Sequence, residues 1–479
     1  MPLQAVRRHT PMLCTAVLRV RHSFGWWKPE GCTVGRRSLP RVAATVAAVL
    51  LATAHARAWA QDKPPHLLLE PTDFTDVIDA FERDDPLDVN VNLSFTRSRH
   101  TATIAREHSL ASDRAAGHFL PIAQSEQITN ALALELDVGV YRDLMVYGRL
   151  PLVLSDTREL HLPDAASCDT AECTARRTQV DEALAGSSAL PGDGSLFDLS
   201  PGYKAATRSG VPAVDFGVAW GIVNQFRTPY LPTWVVSVEA RIGVGRVMTP
   251  CTDRGDCQTG INRGTARLEF ASRWSRRFRY LEPYFGISYA FEWATGASQR
   301  FSPGGAVPGY LDTAPPSVLG STLGAAVIVW EERGRFQRVA IDVRTHAAYV
   351  SAGRDYTPLF DALGTSQNQH LSLPYQSASG DAVPFRGLTN VDSYARLRLE
   401  IAASIQAARY VRFRLGVSLA KLTSHLLTDA APCSAVSVDT CPTDQVNPLY
   451  RPVIDIPGQR FRMSGDLDLA MFANAVGQF

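Results

Sequence analysis

No stretch of the 479-residue chain holds the about 18 consecutive apolar residues that a membrane-crossing helix needs. Charge of one sign is also lacking: 48 Lys+Arg face 47 Asp+Glu, a formal net charge of +1. A nucleic-acid binder carries a basic field, so that partner class is excluded. The motifs G-x-S-x-G and H-E-x-x-H are missing, which removes two common hydrolase signatures. Cysteines number only 8, and none has the spacing of a structural zinc site, so no metal or cofactor is implied. Mean hydropathy is −0.07, a value typical of soluble chains. It leaves a membrane barrel open, because barrel strands are apolar on one side only.

What the chain does have is alternation. In 131–154, Leu132, Leu134, Leu136, Val138 and Val140 alternate with Ala133, Glu135, Asp137, Gly139 and Tyr141. After Arg142-Asp143 the pattern resumes with Val146, Gly148, Leu150, Leu152 and Leu154 on one side. Successive strand side chains point to opposite faces, so this period of two describes a sheet with one apolar and one polar surface. The two-residue polar break reads as a tight hairpin. Each arm is about ten residues, the length of a tilted strand that crosses a bilayer.

The same rhythm recurs at about 87–97, 212–224, 233–247, 263–274, 279–293, 317–330, 336–350, 390–406, 410–421 and 459–473. The fold predicted is all-β: a transmembrane up-and-down antiparallel β-barrel of about 12 strands, an even number as such barrels require. It occupies 87–479. Predicted outward residues include Phe285, Ile287, Val391, Leu397, Leu399, Phe461, Met463 and Leu467. None of the outward positions assigned is Asp, Glu, Lys or Arg, each of which is costly against lipid. The segment 317–330 is apolar on both sides and its phase is not fixed by pattern. Trp234, Trp274, Trp330 and Tyr410 fall near the short-turn ends, as an interfacial aromatic girdle does.

Short connections alternate with long ones: roughly 98–126, 155–211, 248–262, 294–316, 351–389 and 422–458 are long. Short periplasmic turns and long outer loops are what an outer-membrane barrel has. Six cysteines fall in those loops as close pairs: Cys168 with Cys173, Cys251 with Cys257, and Cys433 with Cys441. They read as loop-stapling disulfides in an oxidising compartment. Ahead of the barrel, Arg36, Arg37 and Arg41 precede an apolar run at 42–54 and then Ala58-Trp59-Ala60. Together these form a secretory signal peptide cleaved after Ala60, with an upstream extension before it (1–60). The segment 61–86 is assigned to the periplasm. Thr72, with Asp73 and Asp76 behind it, can cap a short helix bearing Phe74, Val77, Ile78 and Phe81 at helical spacing. That helix either covers the barrel rim or acts as a plug or docking segment.

The last residues, Phe472 to Phe479, complete the pattern. With the leader and the strand–turn rhythm, the chain resembles bacterial outer-membrane β-barrel proteins. In that class a terminal strand ending in Phe, here Phe479, is the signal read by the barrel-assembly machinery. The resemblance implies outer-membrane lipid and that machinery as partners. The small residues Ala473, Ala475 and Gly477 depart from it, since larger ones are commoner there. Leu150-Pro151-Leu152 and the stretch from Pro229 to Trp234 resemble putative outer-membrane transporters of aromatic-degradation clusters.

The inward faces carry the candidate site. The predicted pore lining is Glu135, Asp137, Glu239, Arg241, Arg267, Arg338, Asp342, Arg344, Arg396, Arg398, Arg412, Arg414, Asp466 and Asp468. Bases concentrate on the strands at 336–421, acids on the last and first strands. Across a water-filled lumen that segregation sets up a transverse field that orients small polar solutes. In a narrow barrel the same residues form a salt-bridged core. The function predicted is a passive, porin-like, non-enzymatic channel for small polar or amphipathic solutes. The alternatives are an outer-membrane enzyme, with Ser424-His425 or His346 beside Asp342 as its nearest candidates, and an adhesive barrel acting through its stapled loops. Arg254-Gly255-Asp256 in the second such loop spells an adhesive tripeptide.

Overall fold

The structure is a computed structural model. It describes residues 73–78, 88–107, 119–162 and most of 178–478, the exceptions there being 179, 182, 185–194, 200–201, 255–256, 297–298, 409 and 436. The leader, Ala60, Gly255, Asp256 and Phe479 lie outside the described residues. So do Cys168 and Cys173, and the disulfide expected between Cys168 and Cys173 is therefore not among the bonds the structure describes.

Twelve long strands form one antiparallel ring. They are β1 (Val89–Glu107), β2 (Phe119–Tyr141), β3 (Leu144–His161), β4 (Ala213–Val223), β5 (Thr233–Gly243) and β6 (Thr265–Ser275). The ring continues through β7 (Leu281–Ala294), β8 (Val318–Glu332), β9 (Gln337–Val350), β10 (Tyr394–Ala408), β11 (Val411–Leu422) and β12 (Phe461–Gln478). Each pairs with its neighbour in sequence, and β12 closes on β1 from Asn90↔Gln478 to Arg106↔Phe461. Closure leaves no ladder edge, which is what allows a sheet to sit in hydrocarbon. Short turns at one end alternate with long loops at the other. In the tightest turn Asp143 takes the left-handed conformation (φ 51°), which a short polar side chain tolerates. Its carboxylate accepts from Asn224 (2.8 Å) and Arg227, which ties the first short turn to the second.

The outward face is apolar through the middle of the wall. Leu134, Leu150, Phe216, Phe270, Ile287, Leu399, Leu415 and Leu469 are all exposed there. From Leu281 to Trp293, at about 3.3 Å per residue and a tilt of about 40°, this band rises about 30 Å. That is close to the about 25 Å apolar belt of membrane barrels. Toward the short turns it ends in exposed Tyr141, Trp220, Trp330 and Tyr410. Toward the long loops it ends where Arg97, Arg99 and Lys421 take the outward positions. The barrel is a membrane-spanning one.

Three features differ from the sequence expectation. First, β1 to β3 run far into the predicted loops, to Glu107, back from Phe119, and on to His161. There the alternation persists with its polarity inverted. Arg97 and Arg99 point out, while Ala102 and Ile104 are buried inside. Second, Phe461 and Met463 are not outward but 0% and 5% exposed, within an inner apolar cluster. Gly465 (φ 63°) inserts an extra residue opposite β1, where the register slips between Thr101 and Thr103. A bulge of this kind flips every side chain beyond it. Third, Val391 is buried, because 389–391 leaves the barrel to pair with Gly353–Asp355.

The phase of β8 is settled by its neighbours. Leu319, Leu323 and Trp330 face out, leaving Gly320, Thr322, Gly324 and Ala326 inside. A Cβ on Gly324 would lie 2.5 Å from the Tyr284 ring, and one on Gly320 would lie 3.1 Å from His346. Small residues on β8 let those larger side chains lie flat across it. Of the predicted N-terminal helix, Asp73–Thr75 is a turn and Asp76–Ile78 has no regular structure, and the remainder lies outside the described residues.

Leu399→Arg puts a cation in the middle of the apolar band and should cost about 2–4 kcal/mol. The substitution Ala402→Ser on the inner face of the same strand should change stability far less. Denaturant unfolding in lipid vesicles measures both, and equal effects would contradict the assigned faces.

Candidate functional site

Period-two alternation puts every second residue of each strand into the lumen, so the site is the inner wall. All the predicted pore-lining residues sit there. They are brought together differently from the segregated field that the sequence suggested, for most are paired with a neighbour along the wall. On the β2–β5 side, Arg149 donates to Glu135 (2.5 Å) and lies 3.7 Å from both Asp215 and Glu239. Arg241 makes a two-pronged contact with Asp215 at 2.7 and 3.0 Å. Arg267 pairs with Glu269. Asp137 sits beside Tyr147 in the register, and the Tyr147 hydroxyl donates to Glu239 (3.2 Å). Toward the long loops, Arg396 and Arg398 share Asp468 (2.8 and 3.4 Å), and His100 bonds Asp466 (2.8 Å).

The densest cluster lies at the short-turn end. Arg414 reaches Asp342 (2.8 Å) and Glu400 (2.7 Å), and Arg344 reaches Asp342 (2.5 Å) and Glu400 (3.6 Å). The Tyr284 hydroxyl donates to Asp342, and Arg338 is buried on the same face of β9. Into this cluster comes the segment Asp73–Ile78. Asp73 bridges Arg412 (2.9 Å) and Arg414 (3.0 Å), and Asp76 lies 3.3 Å from Arg412. Phe74 stacks on Tyr284 with ring centroids 4.5 Å apart, and the buried Thr75 hydroxyl is 2.6 Å from that of Ser275. The segment therefore lies inside the lumen against β6, β7, β9 and β11. The described residues of the segment are thus held on the inner wall at the short-turn end. Sequence periodicity flagged Asp73, Phe74 and Asp76, but their partners lie roughly 200 to 340 positions away and no local pattern reports them.

The long loops cover the other end. Ile104, Ile122, Leu184, Leu359, Leu363 and Phe461 are fully buried in a cluster that unites β1, β2, β12 and the loops. Arg106 anchors it, donating to the carbonyls of Ala183 and Val453 (2.7 Å) and to Gln459 (2.6 Å), with its guanidinium 5.1 Å from the Phe461 ring. Arg208, fully buried, joins Asp361 (2.5 Å), which also accepts from the Cys251 N–H (3.0 Å). Two of the three expected disulfides, Cys251–Cys257 and Cys433–Cys441, are formed, with Cα atoms 5.9 and 6.5 Å apart. The third, Cys168 with Cys173, falls outside the described residues. Beneath the loops a cavity of about 330 Å³ remains, lined by His100, Gln127, Arg158, Arg263, Tyr356 and Tyr394 among others.

The catalytic candidates do not assemble. Ser424 donates to the Met463 carbonyl (3.1 Å), while His425 bonds the Thr423 carbonyl (2.8 Å) and stacks on Tyr394. His346 bonds Thr322 (2.9 Å).

No family model matches the chain, and no curated protein sequence matches it. Among solved structures, an outer-membrane channel from Pseudomonas putida F1 covers 86% of this chain and 99% of its own, at 8% identity and a TM-score of 0.38. A FadL homologue from Pseudomonas aeruginosa covers 82% and 90%, at 7% identity and 0.30. The outer-membrane protease OmpT from Escherichia coli covers 82% and 97%, at 7% and 0.26. Each of these proteins is an outer-membrane barrel. The barrel assignment for this chain rests on its own closed ring and apolar belt.

Asp455, on the short helix Pro452–Asp455 of the last loop, is buried, and burial pushes its carboxyl from 3.8 up to about 7. That outweighs its acceptance of the Ala430 and Arg451 N–H groups (3.2 and 2.8 Å). A carboxyl raised on folding contributes fully below its free value and loses that contribution as pH rises through the folded one. Loop opening, read by amide exchange corrected for intrinsic rate, should therefore increase between pH 4 and 7. Asp455→Asn should flatten that slope, and an unchanged slope in the variant would contradict the assignment.

Proposed function

We propose that this protein is a passive channel of the outer membrane for small polar or amphipathic solutes, held closed in this conformation. In this reading the short turns and the N-terminal segment face the periplasm and the loops face outward. Outer-membrane lipid surrounds the belt, and the barrel-assembly machinery reads the last strand. The observation that carries the reading is how the segment 73–78 is held on the inner wall. In this reading it is a plug, and among the described residues it is attached through ion pairs, a hydroxyl contact and a stacked ring, which water and a solute can replace. The charged wall and the cavity under the loops supply polar surface on both sides of that plug. Paired charges of both signs favour polar solutes without strong selection by net charge.

A hydrolytic reading would rest on His100 and Asp466, bonded at the edge of the cavity, and on Ser125, which lines the same cavity. No hydrogen bond joins Ser125 to His100 in the described residues, so the channel reading is preferred.

Single-channel recording in planar bilayers tests it. The mature chain should show rare or small openings, and a chain lacking 61–86 should conduct steadily. Silence of both proteins at every voltage would end the channel reading.

A further inference from the structure

The plug contact has the composition of a ligand site already in use. Asp73 places one carboxylate oxygen on Arg412 and the other on Arg414, the geometry in which two guanidinium groups hold a free carboxylate. The next residue supplies a flat apolar group. Phe74 lies on Tyr284 (4.5 Å, planes 26° apart), and Arg344 stands 5.8 Å from the one ring and 5.7 Å from the other. Room for that ring is made by Gly286, where a Cβ would come 2.7 Å from the Phe74 ring. Tyr284 can lie flat because Gly324 beside it is also bare. Among the described residues, Arg344 and Arg414 share Asp342 and Glu400, while Arg412 meets the segment. Asp73 and Asp76 bring two carboxylates to Arg412 from the segment.

Withdrawing the segment thus uncovers two linked half-sites, an arginine pair and an apolar shelf. Asp73-Phe74 joins a carboxylate to a ring at short range, so the wall has been shaped around that combination. We propose that Asp73-Phe74 is a tethered occupant of a binding site for small organic monocarboxylates with a compact apolar body, and that such anions compete with the segment and release it. This rests on the channel reading for its consequence, since release would open the lumen, but the binding itself does not.

The geometry offers a lock. Thr75 and Ser275 have their hydroxyl oxygens 2.6 Å apart, so Thr75→Cys with Ser275→Cys can fix the segment by a disulfide. Titration calorimetry in detergent, with phenylacetate as probe, reads the site in each protein, first shown to be folded by heat-modifiable gel migration. The chain lacking 61–86 should bind phenylacetate at least about tenfold tighter than the mature chain. It should prefer phenylacetate to acetate, which lacks the apolar body, and to phenylacetamide, which lacks the charge. The oxidised double-cysteine variant should bind none and recover on reduction, with the single-cysteine variants as controls. In the deleted chain, Arg412→Gln with Arg414→Gln should abolish binding.

Equal affinity with the segment present, removed or locked would overturn the inference, as would absence of binding to the deleted chain. Conductance by the deleted chain without phenylacetate binding would leave the channel reading standing and this one refuted. Binding without conductance would do the reverse.

Discussion

A backbone that crosses hydrocarbon must satisfy its own N–H and C=O groups, because lipid offers no partners. Closure of β12 on β1 meets that demand, and the rest of the architecture follows from it. A closed ring has an inside and an outside, and strand geometry sends alternate side chains to each. Leu399 and Leu415 therefore face lipid because Arg398 and Arg414 face the lumen. The belt ends where cost permits, at Tyr and Trp toward the short turns and at Arg97, Arg99 and Lys421 toward the loops.

Inside, the governing cost is that of charge in a confined space. A group drawn from water needs a partner, and a carboxylate or guanidinium on one strand finds it on the next strand or the next but one. This is why the wall is a chain of local pairs such as Arg149–Glu135, Arg241–Asp215 and Arg396–Asp468, and not a lumen divided into opposed fields. At the short-turn end the N-terminal segment adds Asp73 and Asp76 to the strand pairs, on Arg412 and Arg414. The segment is thus part of the electrostatics of the wall. At the other end the loops close by a different principle, a common apolar cluster stitched by arginines that donate to backbone carbonyls.

Twelve strands, their order and the inward face of nearly all of them were legible in the chain, because alternation is a local property. So was the sorting of short turns from long loops. The extensions of β1 and β2 were hidden because the solvent-facing side there is polar and the inner side apolar, the reverse of the pattern within the membrane. Phe461 and Met463 were misplaced because one glycine, Gly465, shifts the phase, and a bulge leaves no periodic mark. The small inner face of β8 is intelligible only beside Tyr284 and His346. The site was legible as a set of inward charges, but its pairings were not. Asp73 and Arg414 are 341 positions apart, and only barrel closure brings them within reach.

The most direct test of the central claim is the accessibility of spin labels placed singly along β10 from residue 396 to 403, in lipid vesicles. The account predicts that labels at 397, 399, 401 and 403 collide with oxygen dissolved in the bilayer, while those at 396, 398, 400 and 402 are shielded from it. Accessibility without a period of two, or with the two sets exchanged, would contradict it.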